Sequence, residues 1–352
     1  MKKDNWGLLG HEWAVDLLRK QVLDENVEHT YLLTGPPSIG RTTLALRFAQ
    51  ALNCEKPLES GDACRICDSC KLIDKNEYSD LVVIQSEYEG AQLKIKKIRE
   101  IMLWLSLKPY QGNFRVAIFR RFQEANTNTM NALLKTLEEP PKHALLILVA
   151  DTPEQLLPTI TSRCEILRLR TPSLETLENF MQQNGCDPDE ARLLAHISAG
   201  RTGYALRLKN SPDFLKLRSK WLDDLEMLLP ADRVTRFEYV ENLSRSRTNK
   251  KKGISDDEKE ANVEVTNIPR QVLELWGSFW RDVMISSSGS QVPLVNIDRA
   301  DRIRKLAGQV GFSAAHRMVI DHEKSIERMD RFVNTRLLLE VLLLDMPLVK
   351  EI

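Results

Sequence analysis

The sequence predicts an α/β module built on a parallel sheet, then a small helical unit, then a larger all-helical region. Four apolar runs of strand length, YLL (31 to 33), LVVI (81 to 84), VAIF (116 to 119) and LLILVA (145 to 150), alternate with helix-period stretches up to about residue 168. Unbroken apolar runs separated by helices are the pattern of strands covered on both faces. A glycine loop, TGPPSIGRTT at 34 to 43, joins the first run to the helical LALRFAQAL. Beyond LRLRTP the strand signals vanish and the remainder reads as helix.

Bulk properties narrow the class. With 352 residues the chain has enough core for two or three domains. Fifty basic residues balance fifty acidic ones, so any nucleic-acid contact must come from a local patch. The longest apolar run, ALLILVA at 144 to 150, is far too short to cross a bilayer, and MKKDNWGLLGHEW lacks the apolar region of a signal peptide. The expectation is a cytoplasmic protein without a membrane anchor.

Taken in chain order, the first informative element is the loop. A phosphate-binding loop is glycine, four residues, glycine, lysine, then serine or threonine, set between a strand and a helix. Gly35, Gly40 and Thr42 fall in register, but position 41 is Arg41. The glycines let backbone N–H groups turn toward phosphate, and the helix start adds a favourable dipole. A forked guanidinium does not replace a compact ammonium, so ATP binding is expected to be weak or absent and turnover inefficient.

Four of the six cysteines follow the first helix: Cys54, Cys64, Cys67 and Cys70 in NCEKPLESGDACRICDSCK. Two successive C-x2-C steps converge three thiolates, and the loop from Cys54 supplies the fourth. A closed four-cysteine set suits structural zinc and leaves no position for a catalytic water. Cys164 and Cys186 are too far apart to define a site, and His11, His29, His143, His196, His316 and His322 show no ligand spacing.

KIKKIREI at 94 to 101 places Lys94, Lys97 and Ile101 near one helical face and Ile95 and Ile98 near another. Its lysines are either a solvated face or a phosphate-backbone contact. In NALLKTLEEPP a helix begins at Asn131, buries a stripe of Leu133, Leu134 and Leu137, and stops at Pro140 and Pro141. LETLENFMQQNG and DEARLLAHISAGRTGYALRLK form a small helical unit ending near residue 209. The helices that follow carry Trp276, Phe279 and Trp280, and Leu337, Leu338 and Val341, as bundle core and packing surface. Residues 244 to 265, SRSRTNKKKGISDDEKEANVEV, read as a charged flexible loop.

Several phrases together, GHEWAV, HTYLLTGPP, the four-cysteine insert, NALLKTLEEPP, LLPTITSRC, SAGRTGYAL, WGSFWRDV and VNTRLLLEVLLLDMP, resemble the clamp-loader family of bacterial DNA polymerase III, in particular its delta-prime type. The resemblance spans nearly the whole chain. It implies an AAA+ (P-loop NTPase-like) module over 1–168 with the zinc insert at 54–70, a lid over 169–209, and a helical collar over 210–352 through which five subunits assemble.

The same resemblance implies that an active member carries acidic residues after its third strand, one to hold magnesium and one to polarise water. Here RVAIF leads into Arg120 and Arg121, with Glu124 the alternative if the register shifts. A polar residue expected after LLILV is Ala150, and the lid arginine of the family's G-x-x-R phrase is displaced, since Gly200, Arg201, Thr202 and Gly203 stand there. By contrast Arg163 of SRC is intact. The resemblance implies that it acts in trans as an arginine finger on ATP held by a neighbour. Its local alternative is to cap a helix or pair with a carboxylate.

The expected function is a non-hydrolysing hetero-oligomer subunit in DNA replication, contributing to loading of the sliding clamp. Its partners would be the motor and delta subunits, the clamp and primer–template DNA. The alternatives are a motor-type clamp-loader ATPase, which would turn over ATP alone, and a repair AAA+ protein that grips DNA directly through its zinc module.

Overall fold

The computed structural model describes residues 5–86, 92–249, 268–330 and 333–349. The chain divides into two compact units, Met1–Asn184 with Gly200–Tyr204, and Gly185–Ala199 with Ala205–Ile352. The lid expected over 169–209 is therefore shared between them.

In the first unit, helix α1 (Glu12–Leu23) precedes strand β1 (Thr30–Thr34), the glycine loop and helix α2 (Arg41–Asn53). Strands β2 (Leu81–Ile84), β3 (Arg115–Phe119), β4 (Ala144–Ala150) and β5 (Glu165–Arg168) complete an all-parallel sheet of order β2-β3-β4-β1-β5. This is the parallel α/β module that was expected. Burial on both faces explains the continuous apolar runs. Leu33, Val116, Ile118, Ile147 and Val149 enter one core with α1 and α2, while Leu32, Ala117, Phe119, Leu146 and Leu148 enter the other. Strand β5 had no apolar run to announce it, because it lies at the sheet edge, pairs only with β1, and its four residues are mostly not buried.

Helix α3 (Asp68–Asp74) closes the cysteine insert, and α4 (Ile95–Leu105) crosses from β2 to β3. On α4 the face assignment needs correction: Ile98 and Ile101 are buried together with Leu105, at i, i+3 and i+7, while Lys94, Lys96 and Lys97 are exposed. NALLKTLEEPP also differs from a single helix. Helix α5 (Thr127–Asn131) ends, Ala132 and Leu133 form a turn, and α6 (Leu134–Glu138) follows. Leu133 and Leu137 are core, whereas Leu134 is half-buried. A one-turn helix, α7 (Pro158–Thr161), comes just before SRC, and α8 (Leu174–Gln183) is capped by the Ser173 hydroxyl, which accepts the Thr176 N–H at 3.1 Å.

The second unit is helical throughout its described residues: α9 (Pro188–Ile197), the end of α10 (Thr202–Lys209), α11 (Pro212–Leu228), α12 (Arg233–Asn249), α13 (Ile268–Ser287), α14 (Ala300–Asp330, broken at Gly311) and α15 (Thr335–Asp345). Trp276, Phe279, Trp280 and Leu338 are core as expected, but Leu337 and Val341 are exposed. Arg236, buried at 4% exposure, gives its guanidinium protons to the carbonyls of Leu228, Leu229, Leu343, Met346 and Pro347, tying the ends of α11 and α15 together. The charged loop expected at 244–265 is corrected at its start. Residues 244–249 continue α12, and the remainder lies outside the described residues. No helix among the described residues is long and apolar enough to cross a membrane.

Candidate nucleotide loop, metal centre and exposed arginine

The glycine loop occupies the carboxyl edge of the sheet, where open α/β sheets place ligands. Thr34 aligns with Ala150 across the β1–β4 pair, so Gly35 follows directly on the strand end. Gly35 has φ 137, and a Cβ there would lie 2.4 Å from the Leu169 carbonyl oxygen, so only glycine fits. The first half of the loop offers no free N–H at three positions. Pro36 and Pro37 have no N–H, and the Gly35 N–H is given to the Asp151 carbonyl at 3.0 Å.

The cation of the loop faces inward. Arg41 is 7% exposed, and its Nη1 donates to the Ala150 carbonyl and to Asp151 Oδ1 at 2.8 Å. Gln123 Nε2 donates to the other Asp151 oxygen at 3.0 Å. Neighbouring groups pack against the second half of the loop, while Pro36 and Pro37 stay exposed. Leu8 packs against Gly40 so closely that a Cβ there would meet its Cδ2 at 2.5 Å, Ile39 is buried, and the buried His11 ring bonds the Ile39 carbonyl through Nε2 at 3.1 Å. Burial lowers the His11 pKa, against the opposing pull of the Ile39 carbonyl and Glu12. At the start of α10, the Gly203 N–H donates to the Ser38 carbonyl at 2.8 Å, and a Cβ on Gly203 would lie 2.9 Å from that oxygen.

Beyond β3 the charge is also inverted. Arg120 is exposed, and Arg121, at φ 50, pairs with Glu124 at 3.2 Å and donates to the Ser86 hydroxyl at 3.1 Å. Glu124 sits in the turn after the strand, bonded to Arg121 and Ser86. It is therefore engaged, not presented as a metal ligand. These residues fit a magnesium nucleotide poorly: the loop cation is already paired and the position after the strand is cationic.

The cysteine insert is assembled as its spacing requires. Cys54 ends α2, Cys67 caps α3, and Cys70 lies in its first turn. All four Sγ atoms fall within 4.8 Å of one another, with Cys54 and Cys67 3.9 Å apart. A tetrahedron with Zn–S bonds of about 2.3 Å has edges of about 3.8 Å, so the set fits zinc. The Cys64 N–H donates to Cys54 Sγ at 3.2 Å and the Cys67 N–H to Cys64 Sγ at 3.4 Å, the hydrogen bonds a thiolate accepts. Amides of Ile66 and Cys67 hold the Cys64 thiol down to about 6, while burial pushes Cys54 and Cys70 up. A divalent cation among them would reverse that burial penalty.

The insert also grips the chain start. Asp62 accepts from Trp6 Nε1 and from Arg19 Nε, each at 2.6 Å, and Arg65 Nη2 donates to the Trp6 carbonyl at 3.2 Å. Burial works to raise the Asp62 pKa, but the bonds from Arg19, Trp6 and Ser60 outweigh it and hold the carboxyl below its ordinary range.

Arg163 stands apart from the loop, on the surface after α7. Its Nη1 donates to the Thr159 carbonyl at 2.8 Å, and its Nη2 lies 2.9 Å from Glu138 Oε1. Both the helix-capping and the carboxylate-pairing roles are thus present, with the guanidinium still exposed.

Residues 10–173 match the family model described as DNA polymerase III, delta subunit. The DNA polymerase III delta' subunit of Pseudomonas aeruginosa is 35% identical over 136 residues, covering 39% of this chain and 41% of that protein. The tau subunit of Escherichia coli is 30% identical over 207 residues, covering 57% of this chain and 32% of that protein. Among solved structures, a DNA polymerase III gamma subunit-related protein of Thermotoga maritima is 15% identical with a TM-score of 0.43, covering 94% of this chain and 97% of that one. Over this region the chain is similar to subunits of DNA polymerase III. It spans less than half the length of either curated relative.

The residues picked from the sequence fall into three separate places: the loop with Arg41, the cysteine centre, and Arg163. Asp151, Gln123, His11 and the Gly203–Ser38 contact went unrecognised in the sequence. Asp151 directly follows an apolar strand, so a strand-end carboxylate was visible; its pairing with Arg41, 110 residues away, was not.

Proposed function

We propose that this chain is the non-hydrolysing, delta-prime-type subunit of its clamp loader, and that it presents Arg163 to ATP bound by an adjacent motor subunit. The observation that carries the reading is the inverted charge around the loop: Arg41 is paired with Asp151, and Arg120 and Arg121 stand where an ATPase needs acids. Ala150 and the displaced Arg201, which stacks on Tyr204 at 4.7 Å, support it. Arg163 needs no site at home, because a guanidinium acting across an interface stabilises charge developing on the neighbour's phosphate.

On this reading the partners are the motor and delta subunits, the sliding clamp and, through the assembly, primer–template DNA in the cytoplasm. Leu337 and Val341, exposed on α15, belong to the surface by which the helical region packs on neighbours. The cysteine set holds structural zinc.

The test is the ATPase rate of the reconstituted loader with clamp and primed DNA, comparing wild type with Arg163→Ala in this chain alone. A fall of at least about tenfold, equivalent to about 1.4 kcal/mol of barrier, is expected. An unchanged rate in a fully assembled complex would sink the trans role. The similarity to a tau subunit favours one other reading, a motor-type ATPase; magnesium-dependent turnover by the isolated chain would establish it.

A further inference from the structure

We infer that Glu138 is the positioning residue for Arg163, holding the guanidinium in the orientation in which it meets the neighbour's phosphate. The inference rests on the trans role of Arg163 proposed above.

Neither partner is placed by a loose loop. Glu138 is the last residue of α6, directly ahead of the Glu139-Pro140-Pro141 stop, and Leu133 and Leu137 pin that segment into the core. Arg163 follows α7, which Ile160 pins into the same core, and the Cys164 thiol bonds the Ile160 carbonyl at 3.1 Å. The two exposed side chains therefore meet from short elements fixed to one apolar cluster. Arg163 spends one proton of Nη1 on the Thr159 carbonyl and one of Nη2 on Glu138, at 2.8 and 2.9 Å. Two bonds to different acceptors fix the plane of a rigid fork, and a guanidinium has five N–H donors, so donors remain for an incoming anion.

Stability does not account for this pair. With Glu138 about half exposed and Arg163 at 36% side-chain exposure, an ion pair contributes little to folding. Orientation is what it supplies. A free arginine loses rotamer entropy when fixed against a transition state, and holding it beforehand removes part of that cost. Glu138 touches no reacting atom.

The experiment is steady-state ATPase of the reconstituted loader with clamp and primed DNA, carrying Glu138→Ala, Glu138→Gln, Arg163→Ala or Glu138→Ala with Arg163→Ala in this chain. Glu138→Ala is expected to lower kcat by about five- to tenfold, with KM for ATP, complex assembly and the melting temperature of the chain unchanged. Glu138→Gln, whose amide oxygen still accepts from Nη2, should recover most of the rate. In the Arg163→Ala background the Glu138 change should add nothing. If Arg163→Ala lowers the rate and Glu138→Ala leaves it at the wild-type value, Glu138 is no positioning residue, although the trans role survives. If Arg163→Ala is itself silent, the trans role and this inference fall together. A Glu138→Ala effect that persists in the Arg163→Ala background would assign Glu138 a separate role and also overturn the inference.

Discussion

At the scale of single residues, the chain shows how a charge keeps its place in sequence while changing its occupation. Arg41 stands at the lysine position of the loop, yet its guanidinium is bonded to Ala150 and Asp151 inside the module. The substitution was legible; the inward turn was not, because Asp151 is remote in sequence and reaches Arg41 only when β1 and β4 pair. His322 shows the same limit. No ligand spacing marked it, and it is a core histidine on α14, 2% exposed, giving its Nδ1 proton to the Met318 carbonyl at 2.7 Å and leaving Nε2 without a partner among the described residues. Burial lowers its pKa from 6.5 to about 4, against the pull of the Met318 carbonyl. A folded-state value below the unfolded one means that the unfolded chain takes up the proton first. Its stabilising contribution is complete above about 6.5 and is lost as pH falls toward 4. Urea midpoints measured across that window should fall less steeply in His322→Gln than in wild type. Identical slopes in the two proteins would rule out His322 as a source of the pH dependence.

Element by element, periodicity located four of the five strands and misread the places where something other than periodicity decides. The fifth strand is a sheet edge, the NALLKTLEEPP helix is interrupted at Ala132 and Leu133, and the helix bearing KIKKIREI turns Ile98 and Ile101 inward together. The cysteine insert was the most legible element, since metal-ligand spacing is a local property of the chain. Its grip on residues 5–8 through Asp62 and Arg65 was invisible, because it depends on where α1 carries Arg19. That grip yields a prediction. If the proposed zinc occupies the four cysteines, a strong chelator should raise amide hydrogen exchange in residues 5–11 as well as in 54–70, because the insert that holds Trp6 would lose its cross-link. Protection of residues 5–11 that is unaffected by chelation would show that Asp62 is held without the metal.

Over the whole molecule, the sequence anticipated a sheet module followed by helices but divided the lid differently, because residues 200–204 return to the first unit. A balanced net charge leaves any DNA contact to local groups such as exposed Lys94, Lys96 and Lys97 on the α4 segment. If these meet phosphates within the assembly, the affinity of the loader for primed DNA should fall as salt rises, with a slope of about −0.7 to −0.9 per neutralised phosphate. Replacing Lys96 and Lys97 with alanine should flatten that slope, and an unaltered slope would place the contacts elsewhere. The packing around the glycine loop bears on what a single reversion could achieve. Putting lysine back at position 41 alone would leave Leu8 over Gly40, Ser38 bonded to Gly203, and Arg120 and Arg121 beside the strand end. Each of those features would have to be undone separately, and none rewards its own reversal while the others stand. On the non-hydrolysing reading proposed above, restoring nucleotide chemistry would therefore take several changes made together, and no single reversion would be rewarded.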